Sequence, residues 1–207
     1  MTVGRILLIL VSALVAAGAC QRALDRLRLT DRQALFFVGL IFVGGLLPDI
    51  PIGQSVRVNA GGALLPFLLA AYVWIRADSG RERLRSLTAA LVTAAAVFAI
   101  GRFYPSEPEA MPFDVNYVYG IAAGLIAYVF GRSRRGAFIA GVVGLLAADV
   151  LQAALLWREG IGQTLYLGSG GMMDAVVISG ILAVLTAELT GEFLERCARG
   201  AKRREAQ

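Results

Sequence analysis

Histidine is missing altogether from this 207-residue chain, and cysteine occurs only twice, at Cys20 and Cys197. The first absence removes the commonest metal ligand and the usual proton carrier near neutral pH. The second excludes a disulfide framework or a cysteine-ligated metal centre. Charge is scarce too, with 17% of residues Asp, Glu, Lys or Arg, and no polar stretch is long enough to build a soluble domain. What fills the chain is apolar, with 57% hydrophobic residues and a mean hydropathy of +0.69. The apolar runs approach the roughly 20 residues that carry a helix across a bilayer. The expected fold is all-α, a polytopic helical membrane protein whose first partner is the lipid bilayer. No cofactor or metal is expected.

Seven apolar segments follow one another at about Val3–Ala19, Ala34–Ile52, Gly61–Ile75, Leu87–Phe103, Val115–Phe130, Ala137–Trp157 and Met172–Leu194. They form one integral membrane domain over 1–207, with residues 195–207 as a basic tail. Counted at the segment ends in order, Lys and Arg number one, four, one, four, one, three, one and five. Sixteen of the twenty basic residues thus fall on one side. By the positive-inside rule the N-terminus lies outside and the C-terminus in the cytoplasm. The net charge of +5 is then a matter of topology, not of nucleic-acid binding. Residues 1–20 also resemble a signal peptide, but cleavage there would invert the charge pattern of the remaining loops. The expected location is a bacterial or archaeal cytoplasmic (inner) membrane.

Several segments carry local instructions. Leu47-Pro48-Asp49-Ile50-Pro51 ends the second, because proline cannot continue a helical hydrogen-bond ladder. Asn59 stands before Gly61 and Gly62, either as the N-cap of the third helix or as an amide projecting into an outer cavity. Pro66 frees a carbonyl inside the third segment, which makes it a candidate for a kinked or re-entrant helix. The fourth segment reads as an alanine-rich packing helix. Asp114 and the tyrosines at 117 and 119 read as a cap and an interfacial belt. Gly120 and Gly124, and Ala140, Gly144 and Ala148, form small-residue faces that let helices approach closely. The fifth and sixth segments are expected to pack through them.

The chemistry-bearing residues concentrate in the last two segments. Asp149 lies eight residues before Trp157, about 12 Å below the outer interface at about 1.5 Å per residue. Gln152 follows on the same helix face. Asp174 comes just after Gly168-Ser169-Gly170-Gly171, near the outer end of the seventh segment. A carboxylate in hydrocarbon is costly, so each faces a protein interior and is a functional candidate. Asp49, Asn59 and Asp114 stand at outer ends, as around an outward-facing cavity. Glu188 falls fourteen residues after Asp174 on nearly the same face, towards the cytoplasm. Two carboxylates within hydrogen-bond reach share a proton, and one then serves as general base while the other serves as general acid. Standing apart beside water, they instead pass protons or bind a cation. Their structural alternative is hydrogen bonding to Gln or backbone that fixes helix register.

Three stretches resemble the motifs of an uncharacterised bacterial and archaeal multi-pass membrane family, domain of unknown function sixteen-fourteen. They are Val58-Asn59-Ala60-Gly61-Gly62-Ala63-Leu64-Leu65-Pro66, then 141–149, then 168–174 with 179–185. The resemblance spans about residues 45–190 and implies that these regions belong together, without implying an activity. A second, partial resemblance is to the presenilin and signal-peptide-peptidase class, where aspartates on two adjacent helices form the catalytic dyad. Here Ala148 stands where that class has tyrosine, Met172 and Met173 separate the glycines from Asp174, and no Pro-Ala-Leu motif occurs. Three functions are therefore expected candidates. The first is an intramembrane aspartyl-type protease with Asp149 and Asp174 catalytic and a membrane-protein or peptide substrate. The second is a proton- or cation-coupled transporter whose pathway uses the same acids with Asn59, Gly61, Gly62, Gln152, Gly170, Gly171 and Glu188. The third is a non-enzymatic scaffold.

Overall fold

The computed structural model describes residues 31–103, 115–131, 133–171, 174–187 and 190. The first apolar segment, both cysteines, the 104–112 loop and Asp114 lie outside the described residues. The protein is mostly helical. Helix α1 (Asp31–Gly45) is followed by strands β1 (Ile50–Ile52) and β2 (Val56–Val58), a π-helical turn (Ala60–Leu64) and α2 (Leu65–Ile75). Then come α3 (Gly80–Phe103), α4 (Val115–Gly131), α5 (Arg134–Arg158) and strand β3 (Leu165–Leu167). A last apolar helix, α6, runs over Ala175–Ala187. Helices α3 and α5, with 24 and 25 residues, are long and apolar enough to cross a membrane, which is weak evidence for a membrane protein.

Helix α5 is the centre of the bundle. It packs against α2, α3 and α4, and α6 closes on it where Gly141 faces Ser179 and Gly180 faces Val142. Small residues make this possible. A β-carbon on Gly144 would stand 2.8 Å from Thr93 Cβ and 2.9 Å from the Ala90 carbonyl of α3. Gly144 of the α5 small-residue face thus turns to α3, while α4 packs on α5 as the sequence suggested, with Ala127 and Ala123 in the same clusters as Ala140 and Ala148. Gly124 of α4 instead approaches α6, with its β-position 3.1 Å from the Ala183 nitrogen. Such close backbone approach lets the two helices pack at van der Waals distance along their length.

The far end of α5 is fixed by charge. Ser133 caps the helix by accepting from the Gly136 N–H at 2.9 Å. Arg135, largely buried, donates to Asp78 at 2.8 Å and lies 3.8 Å from Glu82, both in the turn that opens α3. The basic turn before α5 is thus tied to the α2–α3 connection.

At the opposite end the all-α expectation needs correcting. A three-stranded sheet forms there, in the order β1-β2-β3, with β1–β2 antiparallel and β2–β3 parallel. The second apolar segment accordingly ends as a helix at Gly45 rather than continuing to Ile52. Pro48 and Pro51 stop the helix, and Pro51 is tolerated in β1 because that strand is an edge and needs no donor on its outer side. Gly53, with φ +71°, supplies the turn into β2. The third segment starts wide. Leu64 donates to the Asn59 carbonyl and Leu65 to the Ala60 carbonyl, both five residues back. This π-helical turn sits immediately before Pro66, whose ring clashes with the carbonyl four residues back in a regular helix.

Candidate functional site

The site begins with a junction of glycines. Gly44 and Gly45 close α1, Gly61 and Gly62 open the π-helical turn, and Gly168 and Gly171 lie in the loop before α6. A β-carbon on Gly61 would overlap the Gly45 nitrogen and the Ile41 carbonyl, and one on Gly62 would overlap the Gly168 carbonyl. Gly171 approaches the Gly45 carbonyl, 2.8 Å from its β-position. Gly168 and Gly171 also hold φ of 72° and 58°, a region L side chains rarely adopt. Three segments distant in sequence therefore meet at backbone contact, which no other residue type permits.

Asn59 secures this junction. Its Oδ1 accepts from the Gly61 and Gly62 N–H groups, each at 3.0 Å. Its Nδ2 donates to the Leu47 carbonyl at 3.2 Å and to Asp49 Oδ1 at 3.0 Å. Its backbone N–H donates to the Leu167 carbonyl of β3 at 2.9 Å. The side chain is 3% exposed, and its donors and acceptor are all occupied. Of the two roles open to Asn59 in the sequence, the structure places it in the cap. Asn59, Gly61 and Gly62 do not line the cavity described next. They hold the loop that does.

That loop and the C-terminal half of α5 enclose a cavity of about 510 Å³. Asp149 and Gln152 enter it from α5, and Asp174 and Gly170 from the other side. Gln163, Thr164, Tyr166 and Ser169 of the loop add polar groups, Tyr119 of α4 adds another, and Val97, Leu145 and Leu156 supply apolar wall. Gln152, Tyr166, Ser169 and Gly170 are exposed and form an open rim. No lysine or arginine is among the lining residues.

The two acids are held differently. Asp174 Oδ1 accepts from the Val176 N–H at 3.0 Å, an N-cap for α6. Its Oδ2 accepts from the Gly170 N–H at 3.2 Å, closing the glycine loop back on the helix. Asp149 has no hydrogen bond to any described residue, and its carboxylate feels the charge of Asp174 across the cavity. One acid is thus fixed in place by backbone while the other is free to bind whatever enters.

Of the residues singled out in the sequence, Asp149, Gln152, Gly170 and Asp174 come together here. Gly171 is buried one residue away against Gly45. Glu188 lies outside the described residues. The sequence reading missed Gln163, Thr164, Tyr166 and Ser169. Thr164 and Tyr166 lie in the alternation Thr164-Leu165-Tyr166-Leu167, which is too short to stand out as a strand. Among the described residues, no three His, Cys, Asp or Glu side chains cluster as a metal site would require.

No curated protein and no solved structure matches the chain, so the partial likeness to the presenilin class finds no support there. A family model does match, over residues 21–186, taking in the glycine junction, α5 and both aspartates. The chain belongs to the family described as Protein of unknown function (DUF1614).

Proposed function

We propose that this is an inner-membrane protein of seven spans, N-terminus outside, that hydrolyses peptide bonds with the Asp149–Asp174 pair. The single observation that carries this reading is that two aspartates from different helices open onto one cavity whose lining holds no lysine or arginine. The alternation of basic residues along the chain supports the topology.

In the proposed reaction Asp174, whose two oxygens accept from the Gly170 and Val176 N–H groups and are thereby held as a carboxylate, is the base. It takes a proton from a water whose oxygen adds to the scissile carbonyl carbon. Asp149, free of other bonds, carries a proton and gives it to the carbonyl oxygen. Collapse of the resulting gem-diol breaks the C–N bond, returns a proton to the leaving amine, and releases a carboxylic acid and an amine. Gln152 and Gln163 stand within the same cavity to bind the carbonyls flanking the bond.

The test is turnover by the full chain in proteoliposomes against a single-span substrate carrying a fluorophore and quencher across its outer half. Asp149→Asn and Asp174→Asn should each reduce turnover at least 100-fold while the helical circular-dichroism signal is unchanged. Full activity in either variant sinks the pair. Coupled transport uses the same acids, and pH-driven flux without peptide cleavage in these vesicles would favour it instead. Thiol labelling tests the topology: Cys20 and Cys197 should both react only from the cytoplasmic side.

A further inference from the structure

The parallel ladder between β2 and β3 leaves one residue of β3 facing outward. Leu165 donates to the Ser55 carbonyl at 2.8 Å, and Leu167 accepts from the Asn59 N–H at 2.9 Å. Backbone groups alternate along a strand, so residues 165 and 167 turn theirs to β2, while Tyr166 turns its N–H and C=O to the open edge. Among the described residues nothing meets either group. Tyr166 is exposed, and it lines the cavity that holds Asp149 and Asp174. An unpaired edge of this kind is a template for another strand.

We propose that Tyr166 is a substrate-docking residue: an extended peptide adds to the free edge of β3 through its backbone and lies across the acid pair. This rests on the hydrolytic reading and names its substrate class. Backbone pairing at an edge requires an extended chain, and an extended chain is the form in which a peptide carbonyl is open to attack by water. A helical segment would have to unwind locally, because its own N–H and C=O groups are occupied. The cavity chemistry restricts the occupant further. Two carboxylates line the cavity, so a peptide side chain that enters it as Asp or Glu is repelled, although Arg57 stands over the Tyr166 ring, 5.9 Å from its centroid. The Val97, Leu145 and Leu156 wall receives apolar side chains.

The substitution that isolates the backbone is Tyr166→Pro. It removes the outward N–H and leaves the bonds to β2, since proline is compatible with an edge strand whose donor faces outward. Binding is read as fluorescence anisotropy of a labelled, uncharged, valine-rich octapeptide on full-length Asp149→Asn protein in detergent, so that no cleavage interferes. Tyr166→Pro in that background should weaken binding about tenfold, and Tyr166→Phe, which keeps the backbone, by less than twofold. On the unaltered edge, an N-methyl scan of the peptide should lose affinity with a period of two, as strand pairing demands. Replacing one central valine by glutamate should lower affinity at least tenfold. Absence of binding, or equal loss at every N-methylated position, overturns the docking proposal, and this second measurement stands even where Tyr166→Pro fails to fold. Periodic binding without turnover by the unsubstituted protein keeps the docking mode and overturns the hydrolytic reading.

Discussion

Gly62 lies against the carbonyl oxygen of Gly168, so close that a β-carbon on either residue would overlap the other's backbone. This contact joins the start of α2 to the loop that carries Gly170 and precedes Asp174. The loop's position is therefore set from a segment more than a hundred residues earlier in the chain. Neither backbone is the end of a flexible side chain that can swing aside.

Gly62→Ala should accordingly be costly in two ways. Overpacking of a filled site typically costs about 1–3 kcal/mol, and here the displaced group is the site loop itself. The expected outcome is a lowered detergent melting temperature together with loss of turnover. Gly39→Ala is the control, because nothing lies within 4 Å of its β-position. It should match the unsubstituted protein in both measurements.

Asn59→Ala removes four side-chain hydrogen bonds at once. The Gly61 and Gly62 N–H groups are buried, so they lose their partner without gaining water. A lost cap and stranded donors together predict destabilisation of about 2–3 kcal/mol. Asn59→Asp keeps the acceptor but replaces the donor with a charge facing Asp49. It should be no better than alanine at neutral pH and should recover partly in acid, where the introduced carboxylate takes up a proton. A chemical-denaturation series over pH checks the difference.

Gly144→Val tests the packing of α5 against α3. The added carbons meet Thr93 Cβ and the Ala90 carbonyl, so the helices must part or the turn must distort, at about 1–3 kcal/mol. Gly162→Val, with nothing within 4 Å, should leave stability unchanged. Since Leu145 lines the cavity one residue on from Gly144, parting α3 from α5 should also widen the site, read as faster accessibility of a cysteine introduced at Val97.

Asp149 and Asp174 were legible as candidates because an acid in an apolar helix is conspicuous wherever it falls. Helices α3 to α5 were legible from length and hydropathy, within a few residues for α4 and α5. Helix α3 began seven residues early, at Gly80, because Ser79 and Glu82 cap it in a polar turn that hydropathy counts as loop. The role of Asn59 stayed open because a cap and a cavity amide share the same local sequence. What decides between them is the distant Leu47 carbonyl and the Asp49 carboxylate, partners that a linear reading does not bring together. The sheet escaped for a related reason. Strands of three residues carry too little alternation to stand out, and β3 pairs with a strand over a hundred residues earlier.

The contrast between the two acids gives the sharpest prediction. Asp174 serves stability, since both its oxygens accept backbone bonds at the start of α6. Asp149 serves none that the described residues reveal, being half-buried beside another acid without a hydrogen bond. Asp174→Ala should therefore cost about 0.5–2 kcal/mol, the usual range for a lost N-cap, and abolish turnover as well. Asp149→Leu should abolish turnover yet leave stability equal or higher, because an unpartnered buried acid is replaced by an apolar group. A residue kept for packing behaves in the opposite way, losing stability on substitution. Thermal melts and turnover measured on the same two purified variants decide the matter: a clear fall in melting temperature for Asp149→Leu would assign that acid to structure and remove it from the reaction.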